Sequence, residues 1–200
     1  SIFNQEEIVT DLIRKLVTIP LPGAVAPFPL SQVQNDVRIQ EMEFYFPVSQ
    51  QRYSPITELF IKEGPLGKAT AAGRLQFGAL TGFMRGFIDL VFEHDDRFYI
   101  VDWKSNWLGN TIADYAPVRL QEAMAVSFYD VQLSIYSLAL HRWLRSRKPG
   151  YQYARDFGGV FYIFLRGIDP GDPASGVFAS RPTPAFIEKL DFILEGNGNV

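Results

Sequence analysis

Gly86-Phe87-Ile88-Asp89-Leu90-Val91-Phe92 and Phe98-Tyr99-Ile100-Val101-Asp102-Trp103-Lys104 are two β-branched and aromatic runs joined by Glu93-His94-Asp95-Asp96-Arg97. This pattern predicts a β-hairpin. A turn centred on Asp95-Asp96 gives one register whether the loop holds two residues or four, and that register sets Asp89 directly opposite Asp102. Side chains alternate faces with period two, so Lys104 shares a face with both acids. Carboxylates placed opposite each other repel, and burying them costs still more, so something must compensate. A divalent cation between them would do so, and hard carboxylate oxygens suit Mg²⁺ or Mn²⁺.

The rest of the composition is that of one ordinary globular domain: 200 residues, 47% hydrophobic and 20% charged. No apolar run approaches the length of a membrane span, and the N-terminus lacks a basic region followed by an apolar core, so a cytoplasmic protein is expected. Without cysteine there are no disulfides and no thiolate metal site. The net charge of −3 is not that of an autonomous nucleic-acid binder. A domain handed its substrate by a larger machine needs no basic surface.

From the N-terminus, Asn4 and Glu7 have capping-box spacing, and Ile8, Leu12, Ile13 and Leu16 follow at helical spacing, which predicts a helix over about residues 5–18. Pro20, Pro22, Pro27 and Pro29 make the next segment irregular. Met42 to Val48 is a predicted strand ended by Pro47, with Glu41 and Glu43 on one face as candidates to border a metal site. Pro55 opens a short helix, residues 55–75 are weakly patterned, and Leu75 to Gly86 suits a bent strand leading into the hairpin. After Lys104 a loop carries Ser105, Asn106 and Trp107, the last expected to be buried beneath it.

Pro117 starts a helix, and Asp130 is expected to cap a longer one through Arg147 whose buried stripe is Val131, Ile135, Leu138, Ala139 and Leu144. Gln132 and Tyr136, four apart, point towards the same neighbour. The basic end of that helix, His141 to Lys148, suits either the helix dipole or phosphate contact, with His141 on the surface and His94 exposed in the turn. Gly159 to Leu165 forms a buried strand, and Pro184 begins a last helix fading at Gly196.

Gly86-x-x-Asp89, Asp102-x-Lys104 and Gln132-x-x-x-Tyr136, in that order, resemble the motif series of the PD-(D/E)XK nuclease superfamily in its RecB-like branch. The run from Leu80-Thr81-Gly82-Phe83 to Leu108-Gly109 looks like the C-terminal nuclease domain of RecB-type chains, the beta subunits of exodeoxyribonuclease V. Glu41-Met42-Glu43-Phe44-Tyr45, Leu138 to Arg142, Phe157 to Val160 and Phe164-Leu165-Arg166-Gly167 agree with it, so the likeness spans roughly residues 40–195.

The resemblance implies an α/β, restriction-endonuclease-like core, a central mixed β-sheet flanked by helices, and a single nuclease domain over residues 1–200 cut from the C-terminal part of a longer helicase-nuclease chain. It implies a Mg²⁺-dependent phosphodiester hydrolase that processes double-strand DNA ends for recombinational repair with RecC-like and RecD-like partners. ATP enters only through the helicase portion of the parent chain, since no Gly-x-x-x-x-Gly-Lys loop occurs here. By the same likeness Asp89, Asp102 and the Trp103 carbonyl bind metal. Asp102 and Lys104 act on water and developing charge, and Gln132, Tyr136, Ser105 and Asn106 contact DNA or support the site. The branch's metal-ligating histidine upstream of the first acid has no counterpart before His94, so the isolated chain is expected to bind metal weakly and to show little activity. The alternative is an inactive nuclease fold serving as a DNA-binding or subunit-docking module, which the intact acid, acid and lysine series disfavours.

Overall fold

The hairpin forms in the expected register. In this computed structural model, which describes residues 2–51, 53–74 and 80–195, strand β4 (Leu80–His94) pairs antiparallel with β5 (Arg97–Lys104), from His94 opposite Arg97 to Leu90 opposite Val101. The pairing ends one step short of Asp89 and Asp102, where the Trp103 amide donates to the Asp89 carboxylate instead. The two turn residues, Asp95 and Asp96, both lie in the left-handed region with φ of 49° and 58°, as a two-residue turn matched to strand twist requires. Glycine takes this backbone without the Cβ penalty. Asp96→Gly should therefore raise the urea midpoint, by about 0.5–1 kcal/mol of stability.

On the far side of β4 lies edge strand β3 (Arg38–Gln51), antiparallel to it. Beyond β5 comes β6 (Phe157–Phe164), parallel, and then β7 (Val177–Ser180), antiparallel, giving the mixed order β3-β4-β5-β6-β7. A parallel neighbour demands a long crossover. Here it contains helices α3 (Pro117–Val126) and α4 (Tyr129–Arg147) and the one-turn α5 (Tyr153–Asp156).

Helices cover the sheet on both faces. Met42, Phe44, Ile88, Ile100, Tyr162 and Phe164 pack with α4, α2 (Tyr53–Glu63) and α6 (Pro184–Leu194). On the opposite face Leu90, Phe92, Tyr99, Val101, Phe161 and Ile163 pack with Leu16 of α1 (Ile2–Thr18) and with the small ribbon β1–β2 (Pro20–Leu21, Phe28–Pro29). Phe44's ring fills the space over Gly86, where an added Cβ would come within 2.6 Å of it. That explains the glycine at the head of the first motif.

Several expectations change. β3 runs through Pro47 to Gln51, because an edge strand needs no amide hydrogen on its open side. Helix α1 already begins at Ile2, so Asn4 lies within it and is no cap. Asp130 does not cap α4 either. Phe128 is the N-cap, in a left-handed conformation, and Asp130 is fully buried in the first turn, accepting the Thr70 hydroxyl. Residues 75–79 of the expected bent strand lie outside those described, and β4 begins at Leu80.

Burial on α4 extends well beyond a stripe, to Leu133, Ser134, Ser137 and Leu140, because the helix is enclosed between the sheet and α6. The two serine hydroxyls donate to the carbonyls one turn back, at 2.7 and 2.8 Å. His141 is buried beside the Tyr151 hydroxyl, and desolvation pulls its imidazole below the usual range. His94 is half-buried, stacked on Phe28 at 4.0 Å. Trp107, by contrast, is 64% exposed. The basic end of α4 resolves towards structure, since Arg142 and Arg145 both bind the Asp191 carboxylate of α6 at 2.5 and 3.0 Å. No single helix among the described residues is long and apolar enough to cross a membrane.

Candidate active site

The site is built where the sheet breaks its own alternation. Ile88 and Leu90 are two apart and should share a face, yet Ile88 lies in the layer beneath α4 and Leu90 in the other. Between them β4 shifts at Asp89. On β3 the residue in register with it is Glu41, flanked by the pairs Gln40–Leu90 and Met42–Ile88, and Glu41 carries a φ of 49°. Such local irregularities re-aim side chains. Asp89 Oδ2 accepts the Trp103 amide at 2.8 Å, standing in for a strand carbonyl and fixing the carboxylate between β4 and β5.

Asp102 and Lys104 follow on β5 with strict alternation, both on the α4 side and both buried. Their ion pair is 2.5 Å long. Burial pushes the Asp102 carboxyl up to about 6, although Lys104 beside it pulls the other way and Asp89 adds a further upward push. Lys104 Nζ also donates to Gln132 Oε1 at 3.0 Å, and Gln132 Nε2 donates to the Tyr136 hydroxyl at 2.9 Å. Burial, and after it the Asp102 charge, raise the Tyr136 hydroxyl to about 12, with smaller contributions from Asp89 and Glu41, so this phenol stays neutral.

Asp89, Asp102, Lys104, Gln132 and Tyr136 thus converge from two strands and one helix. Ser105 and Asn106 lie beside them as props for the loop. The Ser105 carbonyl accepts from Arg166 at 3.1 Å, and Asn106 Oδ1 accepts from the Tyr129 hydroxyl at 3.2 Å. Trp103 packs its ring on the opposite face of the sheet. Glu41 and Glu43 are both exposed, but Glu43 is paired with Arg85 at 2.6 Å whereas Glu41 lies near enough to act on the Tyr136 hydroxyl. Neither histidine reaches the site, as their partners Phe28 and Tyr151 show.

Two residues escaped the sequence reading. The Tyr129 and Tyr162 rings lie 3.9 and 4.9 Å from Lys104 Nζ, and the Tyr162 hydroxyl donates to Gln132 Oε1 at 3.0 Å. A signal existed for each. Tyr129 is three residues before Gln132, hence on the same helix face, and a phenol inside the apolar run of β6 needs a partner for its hydroxyl.

Two carboxylates without imidazole or thiolate form a hard-oxygen donor set. Asp102 Oδ2 is buried and accepts no hydrogen bond, despite the nearby ammonium. A buried carboxylate oxygen with no partner but that ammonium, beside a second carboxylate, fits a divalent cation. Among the described residues no group of three or more Asp, Glu or His side chains converges as a metal site.

Comparison with known proteins agrees with this geometry. Residues 34–195 match the PD-(D/E)XK nuclease superfamily. The chain is 47% identical over 162 residues to the RecBCD enzyme subunit RecB of Haemophilus influenzae, covering 81% of this chain and 13% of the relative. It is 38% identical over 192 residues to that of Escherichia coli, covering 96% and 16%. The Mycobacterium tuberculosis subunit is 32% identical over 219 residues, covering 96% and 20%. The chain therefore spans only a fifth or less of these relatives' length. With an acid on each strand of the hairpin, a lysine two residues beyond the second, and a family match over most of its length, the chain belongs to the PD-(D/E)XK nuclease superfamily.

Proposed function

We propose that this chain is a Mg²⁺-dependent DNA nuclease domain of the exodeoxyribonuclease V type. It works as one domain within a longer helicase-nuclease chain, beside RecC-like and RecD-like subunits, degrading and processing double-strand ends in the cytoplasm for recombinational repair. The relatives named above carry the assembly part of the reading. The observation that carries the chemistry is the buried Asp102–Lys104 pair on β5 with the Asp89 carboxylate beside it on β4.

Hydrolysis of a phosphodiester needs an activated water, neutralisation of charge on the phosphate, and help for the leaving oxygen. Asp89, Asp102 and the Trp103 carbonyl would hold Mg²⁺, which would supply Lewis acidity towards phosphate and water. Lys104 presents its ammonium to the charge that develops on the phosphate, and the low-polarity walls around it strengthen that interaction. Asp102, ion-paired with Lys104 through Oδ2, would help to orient the attacking water. Gln132 holds Lys104 from the helix side, Tyr136 holds Gln132, and both can donate to a phosphate oxygen.

Divalent-cation-dependent degradation of linear DNA by the complete protein tests this, with Asp89→Ala alongside. The wild type should cleave and the variant should not. Equal cleavage by both would overturn the assignment, and cleavage of only non-nucleic phosphate esters would move the chain to another hydrolase class.

A further inference from the structure

We propose that Tyr129 is a positioning residue of the hydrolytic site: its ring, with that of Tyr162, cages the Lys104 ammonium and keeps it aimed at the reacting phosphate. The inference rests on the nuclease reading above and adds to it a component that acts through Lys104 without touching substrate.

A lysine side chain is a long, flexible stem carrying a compact charge. In this site it is confined from several directions. Asp102 Oδ2 lies 2.5 Å from Nζ, and Gln132 Oε1 accepts at 3.0 Å. Two further directions are closed by aromatic faces, Tyr129 at 3.9 Å and Tyr162 at 4.9 Å, two rings whose centroids stand 5.7 Å apart with 38° between their planes. Both lie within the roughly 6 Å over which a ring face attracts a cation, and partial desolvation strengthens the attraction.

Each ring is itself fixed. The Tyr162 hydroxyl binds Gln132, and the Tyr129 hydroxyl binds Asn106, on the loop that leaves β5 directly after Lys104. Tyr129 is the first residue of α4 and follows Phe128, whose left-handed backbone sets the direction in which the helix enters the site. A third carboxylate in this place would compete with Asp102 for the ammonium and add repulsion. An aromatic face attracts the cation without either effect. The Tyr129–Asn106 bond also couples the loop carrying Trp107, 64% exposed, to the seat of Lys104.

The test is single-turnover DNA cleavage by the complete protein bearing Tyr129→Phe, Tyr129→Leu, or phenylalanines of increasing fluorine content at position 129. Tyr129→Phe should stay within about twofold of wild type, because it keeps the ring face. Tyr129→Leu should lower turnover about tenfold with KM for DNA unchanged, and should have no further effect in a Lys104→Ala background. The fluorinated series is nearly isosteric, so its folding is unaffected, and the logarithm of the rate should fall with each added fluorine. A flat fluorine series would reduce Tyr129 to packing and overturn the proposal, whatever leucine does. Loss in Lys104→Ala with wild-type turnover in Tyr129→Leu overturns only this inference. Full activity in Lys104→Ala overturns the nuclease reading itself.

Discussion

Asp102→Asn is expected to lower cation-supported DNA cleavage about a thousandfold or more while the chain still folds. The amide keeps the size and planar shape of the carboxylate in a position that is 3% exposed, so the packing between β5 and α4 is preserved. What disappears is the negative charge that pairs with Lys104 and that, on the proposed function, would help to hold the cation. Lys104 keeps Gln132 and the two tyrosine faces as partners, so the variant is not left with an isolated buried cation. Lys104→Met should fall comparably, since it removes the ammonium and keeps the stem. Single-turnover cleavage beside far-ultraviolet circular dichroism separates loss of chemistry from loss of fold. Activity within about tenfold of wild type in Asp102→Asn would show that the buried acid is structural.

The hairpin could be read from sequence because its two halves are symmetric about Asp95-Asp96, so a two-residue and a four-residue loop give the same register. Helix α4 was equally readable as a helix, and Gln132 and Tyr136 as neighbours on it. What could not be read were features set by several elements meeting. Asp130 has the residue type of a cap, but the helix begins earlier, at the left-handed Phe128, and Thr70 from another segment supplies its partner. His141 resembles a surface residue until α5 brings Tyr153 over it and Tyr151 alongside. Trp107 looked buried because large apolar side chains usually are. The irregularity at Asp89 and Glu41 has no composition signature at all, since neither residue is a glycine or a proline. It shows only in the exchange of faces between Ile88 and Leu90. The cage around Lys104 has the same origin, because Tyr162 arrives through the parallel pairing of β6 with β5.

Stability of the metal-free 200-residue chain should fall as pH rises from about 4 to 6, and divalent cations should reverse that fall. The folded-state carboxyl of Asp102 titrates at about 6, pushed up chiefly by burial, against 3.8 for the free group. A group whose pKa is raised by folding contributes stability that is fully present below the unfolded value and is lost as pH climbs through the folded one. At 1.36 kcal/mol per unit, the gap amounts to about 3 kcal/mol. Asp130, also raised by burial, acts in the same direction. His141 acts against it, since an imidazole lowered by burial loses stability as pH drops below its usual range. Asp156, lowered by its Arg155 hydrogen bond, matters only at and below the free carboxyl value. Comparing wild type with Asp102→Asn isolates the Asp102 contribution, because the other groups are common to both. Urea unfolding in chelator from pH 4 to 7.5 should therefore give a difference between the two proteins that shifts in favour of the variant with rising pH. A cation that binds ionised Asp89 and Asp102 competes with the proton, so its stabilisation must grow over the same interval, reaching about 2.7 kcal/mol at a hundred times its Kd. Parallel pH profiles for the two proteins, or a cation effect as large at pH 4.5 as at 7.5, would mean that Asp102 neither carries a raised pKa nor holds the ion.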